Sequence, residues 1–208
     1  LLDEADCIER TADIVARARA VDTFVRIDME DHTTTNSTLH VYEVLRERGF
    51  DNVGVVFQSR LFRTKDDIQK LADLKANVRL CIGIYREPVE IALQDKDEMK
   101  RHMLELLEVM WRNHQHVGLA THEEWCIRDA MRMAKRLDKP AEEIEVQMLL
   151  GVPRGSLQKE LVAQGITVRL YVPYGEQWYA YSMRRLENNP DVFVSILKSL
   201  VRSIFRRG

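Results

Sequence analysis

Three side chains late in the sequence have the types and spacing to hold a small carboxylate. Tyr181, Arg184 and Arg185 fall at i, i+3 and i+4 of a helical stretch, so they share one face. Two guanidinium groups offer planar forks of donors and two positive charges, which suit carboxylate oxygens. From this stretch alone, a solvated arginine pair on an outer helix is the better reading. A second set changes the balance. Asp28, Gln58, Arg86, His122 and Tyr174 each stand at or just past the C-terminal end of a predicted strand, and parallel α/β architectures carry their chemistry at that end. Asp28 reads either as a loop acid capping the next helix or as a carboxylate facing a barrel mouth. Gln58 either satisfies loop backbone groups or bonds a heterocycle edge through its paired donor and acceptor. Arg79 lies inside an apolar strand, where a guanidinium needs a partner or an anionic ligand. Gly83, in the same run, marks a close approach of backbone to ligand.

The elements that must position these residues alternate. Strands are predicted at 23–28, 53–58, 78–85, 116–122, 144–150 and 167–174, and helices at 2–20, 35–48, 64–74, 98–113, 123–137 and 155–163. A further helix follows the last strand. Thr64, with Asp67 three residues on, reads as the N-cap of its helix. The strands look like near-continuous apolar runs, the pattern of strands buried on both faces. No GxGxxG or GxxxxGK[ST] is present, which turns the reading from a doubly wound sheet to a (β/α)8 TIM-type barrel, α/β in class. Six units are two short of eight and the chain starts abruptly at Leu1. The expectation is therefore one N-terminally incomplete barrel domain over residues 1–208, its first two βα units missing from the sequence.

Composition narrows the function classes. The 208 residues carry a net charge of -2, so bulk charge gives no sign of nucleic acid. Cys7, Cys81 and Cys126 show no CxxC spacing, which fits a reducing compartment. No apolar run reaches the roughly 18 residues of a membrane span. The histidines are scattered and no HExxH occurs, so no metal site is expected. A GxSxG elbow is absent as well.

Taken in order, FVRIDMED, VVFQS, VRLxxGxYREP, ATH and YVPYGxxWYxYxxRR closely resemble the proline dehydrogenase family of flavoenzymes, above all its short bacterial monofunctional type. The resemblance implies a barrel with FAD held non-covalently at the strand C-terminal ends. It implies hydride transfer from C5 of L-proline to flavin N5, giving Δ1-pyrroline-5-carboxylate, with electrons passing to quinone. Carried over by position, Asp28 resembles the aspartate near the substrate amine, and Met29 the residue whose backbone touches the flavin. Gln58 resembles the isoalloxazine-bonding glutamine and Arg79 the arginine near N5. Ile82, Gly83 and Ile84 line the cofactor, while Thr121 and His122 contact it. Tyr171 and Tyr181 match pocket tyrosines, and Arg184 and Arg185 the arginines that clamp the proline carboxylate. The pattern departs at Ile82 and Ile84, where the family has K-G-A-Y, and at Asn188, where it has a glutamate. These departures motivate a rival, a non-catalytic barrel that binds a small carboxylate or a protein partner.

A C-terminal helix over about 190–206 places Phe193, Ile196, Leu197, Leu200 and Ile204 on one face. It reads first as docked on the barrel, and second as a basic amphipathic surface meeting the membrane. The implied location is the cytoplasm, with peripheral contact at the inner face of the membrane. The implied partners are L-proline, quinone and a pyrroline-5-carboxylate dehydrogenase.

Overall fold

The structure is a computed structural model that describes residues 3–152, 154–172, 174–176 and 183. Its sheet consists of β1 (Val25–Ile27), β2 (Val53–Gln58), β3 (Val78–Cys81), β4 (Val117–Ala120), β5 (Glu145–Leu149) and β6 (Thr167–Tyr171). Each strand pairs in parallel with the next in sequence, in the order β1-β2-β3-β4-β5-β6. A doubly wound sheet reverses its order at a switch point. This one does not, so right-handed crossovers place every connecting helix on the same side. Those helices are α2 (Thr35–Glu47), α3 (Thr64–Lys70), α4 (Lys96–Arg112), α5 (Glu124–Arg136) and α6 (Gly155–Ala163), with α1 (Glu4–Arg19) preceding β1. The arrangement is an α/β half-barrel of the TIM type.

The two faces of the sheet differ sharply. Val53, Val55, Phe57, Val78, Leu80, Val117, Leu119, Val146 and Met148 are buried in one core with Tyr42, Leu45, Leu107, Met110 and Ile127 of the helices. Full burial of side chains this size contributes about 1.5–3 kcal/mol each. The intervening residues, Arg26, Gly54, Gln58, Arg79, Gly118, Glu145, Gln147 and Arg169, face the opposite side, as the period of two requires. The expected pattern of strands apolar on both faces therefore holds only for β4 and, up to its final Gln58, for β2. In β1, β3, β5 and β6 charged or amide side chains alternate with the apolar ones.

The curl of the sheet is visible in its side chains. β3 and β6 are three strand spacings apart, about 14 Å in a flat sheet. Yet the Arg79 guanidinium lies 5.4 Å from the centre of the Tyr171 ring. Two inward-facing glycines make room inside the curve. A Cβ on Gly118 would come within 2.3 Å of Gln147 Nε2, and one on Gly54 within 2.4 Å of Arg26 Nη1.

Two local expectations are corrected. The strand expected over 78–85 ends at Cys81. Gly83 adopts φ +87, outside strand geometry, so Ile84 and Tyr85 leave the sheet. Arg63, not Thr64, occupies the N-cap of α3. Thr64 instead donates its hydroxyl to Gln58 O at 2.6 Å, and Asp67 pairs with Arg63 at 2.7 Å, so no capping box forms. Tyr181, Arg184, Arg185, Asn188 and the helix expected over about 190–206 lie outside the described residues.

Candidate active site

Asp28 just past β1 and Gln58 at the end of β2 stand at the C-terminal ends of their strands, and Arg79, the second residue of β3, reaches up to Asp28 from inside the sheet. Asp28 follows β1, and its carboxylate does two things: Oδ1 accepts the Met29 N–H at 3.0 Å, and Oδ2 lies 3.7 Å from Arg79 Nη1. That separation is an ion pair rather than a direct hydrogen bond. The Asp28 side chain is 56% exposed and that of Arg79 only 18%, so the carboxylate faces the opening while the cation lies behind it. Arg79 Nε is buried with no hydrogen-bond partner. Its charge is met by Asp28 on one side and by the Tyr171 ring on the other.

Gln58 closes β2 and is buried. Its Nε2 donates to Glu30 O at 2.6 Å, tying the loop after β1 to the rim. Its Oε1 is buried and accepts nothing. Beside it the chain turns at Gly83, where an added Cβ would come 2.3 Å from Gln58 Oε1. Positive φ and this close approach both require glycine there. Ile82 is half-buried against the core and Ile84 is 52% exposed.

The loops after β1 and β3 are laced together. The Tyr85 hydroxyl bonds the Glu30 carboxylate, and Glu87 receives both the backbone N–H of His32, at 3.1 Å, and the His32 ring. Burial raises the Glu30 carboxyl above its ordinary value, and Asp28 and Asp31 add to the effect. Sequence reasoning passed over Tyr85, Glu30, His32 and Glu87. The motifs FVRIDMED and VRLxxGxYREP carry Glu30, Tyr85 and Glu87 but not their pairings, because the partners stand 55 positions away.

Thr121 and His122 lie after β4. Thr121 is buried, and its Oγ1 accepts the Glu123 N–H at 3.2 Å at the start of α5. His122 Nε2 accepts the Leu149 N–H at 2.8 Å, and its carbonyl accepts from Arg154 Nε at 2.9 Å. This histidine thus joins the ends of β4 and β5. Among the described residues no three His, Cys, Asp or Glu side chains gather into a metal-holding group, and no helix is long and apolar enough to cross a membrane.

Deeper inside the curve lies a charge network with no sequence motif of its own. Glu145 accepts from Arg169 through two bonds of 2.8 and 3.0 Å and from Gln147 at 2.6 Å, and His116 Nε2 lies at 3.4 Å. Burial alone would raise the Glu145 carboxyl. The hydrogen bonds from His116, Arg169 and Gln147 outweigh it and hold the group well below the usual carboxylate range. Arg26, on β1, is pushed down to about 10 by burial, opposed by Glu145 and assisted by Arg79 and Arg169.

The family model described as proline dehydrogenase matches residues 85–195, more than half of the chain. The chain belongs to the proline dehydrogenase family. Curated proline dehydrogenases agree. Proline dehydrogenase 1 of Bacillus subtilis strain 168 is 35% identical over 189 residues, which are 91% of this chain and 62% of that protein. The proline dehydrogenase of Deinococcus radiodurans is 36% identical over 190 residues, 91% of this chain and 61% of that protein. The chain therefore spans about three-fifths of the length of these proline dehydrogenases. Among solved structures, proline utilization A from Bdellovibrio bacteriovorus, inactivated by N-propargylglycine, superposes with a TM-score of 0.82 at 26% identity. The match covers 89% of this chain and 22% of that one. Proline utilization A from Bradyrhizobium japonicum, at 23% identity and a TM-score of 0.75 over 89% of this chain and 22% of that one, shares the fold.

The described rim offers what a flavin-binding member of the proline dehydrogenase family needs. A flavin edge carries N–H donors and carbonyl acceptors. Gln58 Oε1 and Arg79 Nε are a buried acceptor and a buried donor without partners, and Gly83 keeps the wall beside Gln58 bare of side chain. The residues fit the group.

Proposed function

We propose that the chain forms most of a single barrel domain that binds FAD non-covalently and oxidises L-proline to Δ1-pyrroline-5-carboxylate. The observation that carries this reading is the pair of unpartnered buried atoms, Gln58 Oε1 and Arg79 Nε, on neighbouring strands of a proline dehydrogenase fold. FAD, when bound, supplies the acceptor for the hydride leaving proline C5 and passes the two electrons to quinone, while the amine loses a proton as the C=N bond forms.

The chain's own residues then have distinct tasks. Gln58 and Gly83 hold the heterocycle edge, with Met29, Ile82, Ile84, Thr121 and His122 around it. Arg79 places a fixed positive charge where negative charge develops on transfer, an electrostatic contribution that needs no reorganisation. Asp28 receives the substrate ammonium at the opening and orients C5. Tyr171 and Tyr181 cover the ring, and Arg184 and Arg185 bind the carboxylate. Electron delivery to quinone gives the protein a reason to work at the inner face of the membrane, from the cytoplasm, beside a pyrroline-5-carboxylate dehydrogenase.

The visible spectrum of the purified protein tests the reading. A flavin spectrum that bleaches on anaerobic addition of L-proline is expected. A flavin band that persists would move the substrate elsewhere. No flavin after reconstitution with FAD would replace the proposal with the non-catalytic barrel.

A further inference from the structure

Gln58 closes β2, and Arg60 follows in the turn that the Leu61 N–H closes onto Gln58 O at 3.2 Å. Between them Ser59 donates its hydroxyl to Met99 O of α4 at 2.8 Å. Arg60 is only 8% exposed and its Nε has no hydrogen-bond partner. The acid whose charge acts on it is Glu87. No salt bridge joins the two among the described residues, and both Glu87 oxygens are taken up by His32. A guanidinium this buried and without a direct counter-ion is costly.

Gly83 lies against both side chains. An added Cβ there would come 2.3 Å from Gln58 Oε1 and 2.9 Å from Arg60 Cδ. The Gln58 amide, the bare Gly83 turn and the Arg60 stem therefore form one continuous wall. Gln58 and Arg60 stand at the two ends of that wall, with Gly83 against both. A ligand whose heterocycle edge meets Gln58 reaches Arg60 with a different part. The part that suits a buried guanidinium is an oxyanion that accepts several N–H bonds at once, and phosphate does so.

We propose that Arg60 is a phosphate ligand of the bound dinucleotide. The inference rests on the flavin reading above and extends it to a residue outside the heterocycle contacts. Isoalloxazine binding and phosphate binding become separable along the wall: Gln58 and Gly83 serve the first, Arg60 the second.

The test is a titration of flavin-stripped protein with FAD and with riboflavin, read by quenching of flavin fluorescence, for the wild type, Arg60→Met and Arg60→Lys. Loss of a charge-assisted bond predicts FAD binding weaker by about 10- to 100-fold in Arg60→Met. Riboflavin affinity should stay within about twofold, and Arg60→Lys should recover part of the FAD affinity. Inorganic pyrophosphate should compete with FAD, and not with riboflavin, on the wild-type protein, a measurement that needs no variant. Equal FAD affinity in Arg60→Met, an equal loss for both flavins, or no competition by pyrophosphate would overturn the assignment. So would a raised KM for L-proline with unchanged FAD affinity, which gives Arg60 to the substrate carboxylate. Wild-type protein that binds neither flavin would instead overturn the flavin reading itself.

Discussion

Replacing Glu145 by glutamine removes one negative charge from the inside of the curled sheet and keeps the size of the side chain. The carboxylate is 5% exposed and takes both bonds of the Arg169 fork. Removing one partner of a fully buried ion pair costs about 3–5 kcal/mol. Arg169 is 64% exposed, so it can turn to water, and the cost is closer to about 2 kcal/mol. For a domain of this size each kcal/mol moves Tm by about 2–4 °C, so Glu145→Gln should melt about 4–8 °C below the wild type at pH 7. The pH dependence has a definite sign. Glu145 has a folded-state pKa below its unfolded value of about 4.3. Its contribution is complete above the unfolded pKa and is lost as pH falls toward the folded one. The gap between wild type and variant should hold steady from pH 8 to about 5.5 and narrow by pH 3. Thermal melts followed by circular dichroism measure both quantities. A gap under about 1 °C at pH 7, or one that stays the same size at pH 3, would refute the argument that this carboxylate is held ionised by its neighbours.

Gly83→Ala should lose FAD affinity and lower Tm. A residue at φ +87 costs about 1–3 kcal/mol, and the new Cβ meets Gln58 Oε1 at 2.3 Å; an unchanged melt and unchanged flavin content would count against the close approach. Ile82→Lys places a cation beside the proposed flavin wall and should tighten FAD binding; identical flavin affinity would remove the case for a missing cationic contact. Burial pushes the Cys126 thiol up to about 12, so in folded protein at pH 8 Cys126 should be the last of the three cysteines to react with iodoacetamide. Mass spectrometry of partly alkylated protein reads the order, and early labelling of Cys126 would contradict its burial.

Much of the frame was legible locally. Val53–Gln58 and Gly155–Ala163 begin and end where their apolar patterns and flanking glycines place them. Asp28, Gln58 and Arg79 stand out because polar groups at the ends of apolar strands or inside them are unusual. The inner face was not legible for a physical reason. The pairings of Arg26 with Asn77 and of Glu145 with Arg169 span 51 and 24 positions, and those meetings are set by the pairing and curl of the sheet. The same holds for His32 and Glu87. Thr64 misled because its sequence neighbours complete a capping box, while the hydroxyl found a better acceptor in Gln58 O.

Gly54 and Gly118 carry a consequence for how this protein can change over time. Gly118 is the empty half of a pair whose full half is a long polar side chain, Gln147 with Glu145 beside it, and Gly54 is hemmed in by the Arg26 and Phe24 side chains and the Asn77 carbonyl together. A methyl group at Gly118 has nowhere to go while Gln147 is in place, and a shortened Gln147 leaves a polar hollow while Gly118 stays bare. Neither site can drift alone without loss. The interior of the barrel therefore evolves in linked steps, its glycines as tightly constrained as its charges, while the apolar side under the helices remains open to one-at-a-time exchange.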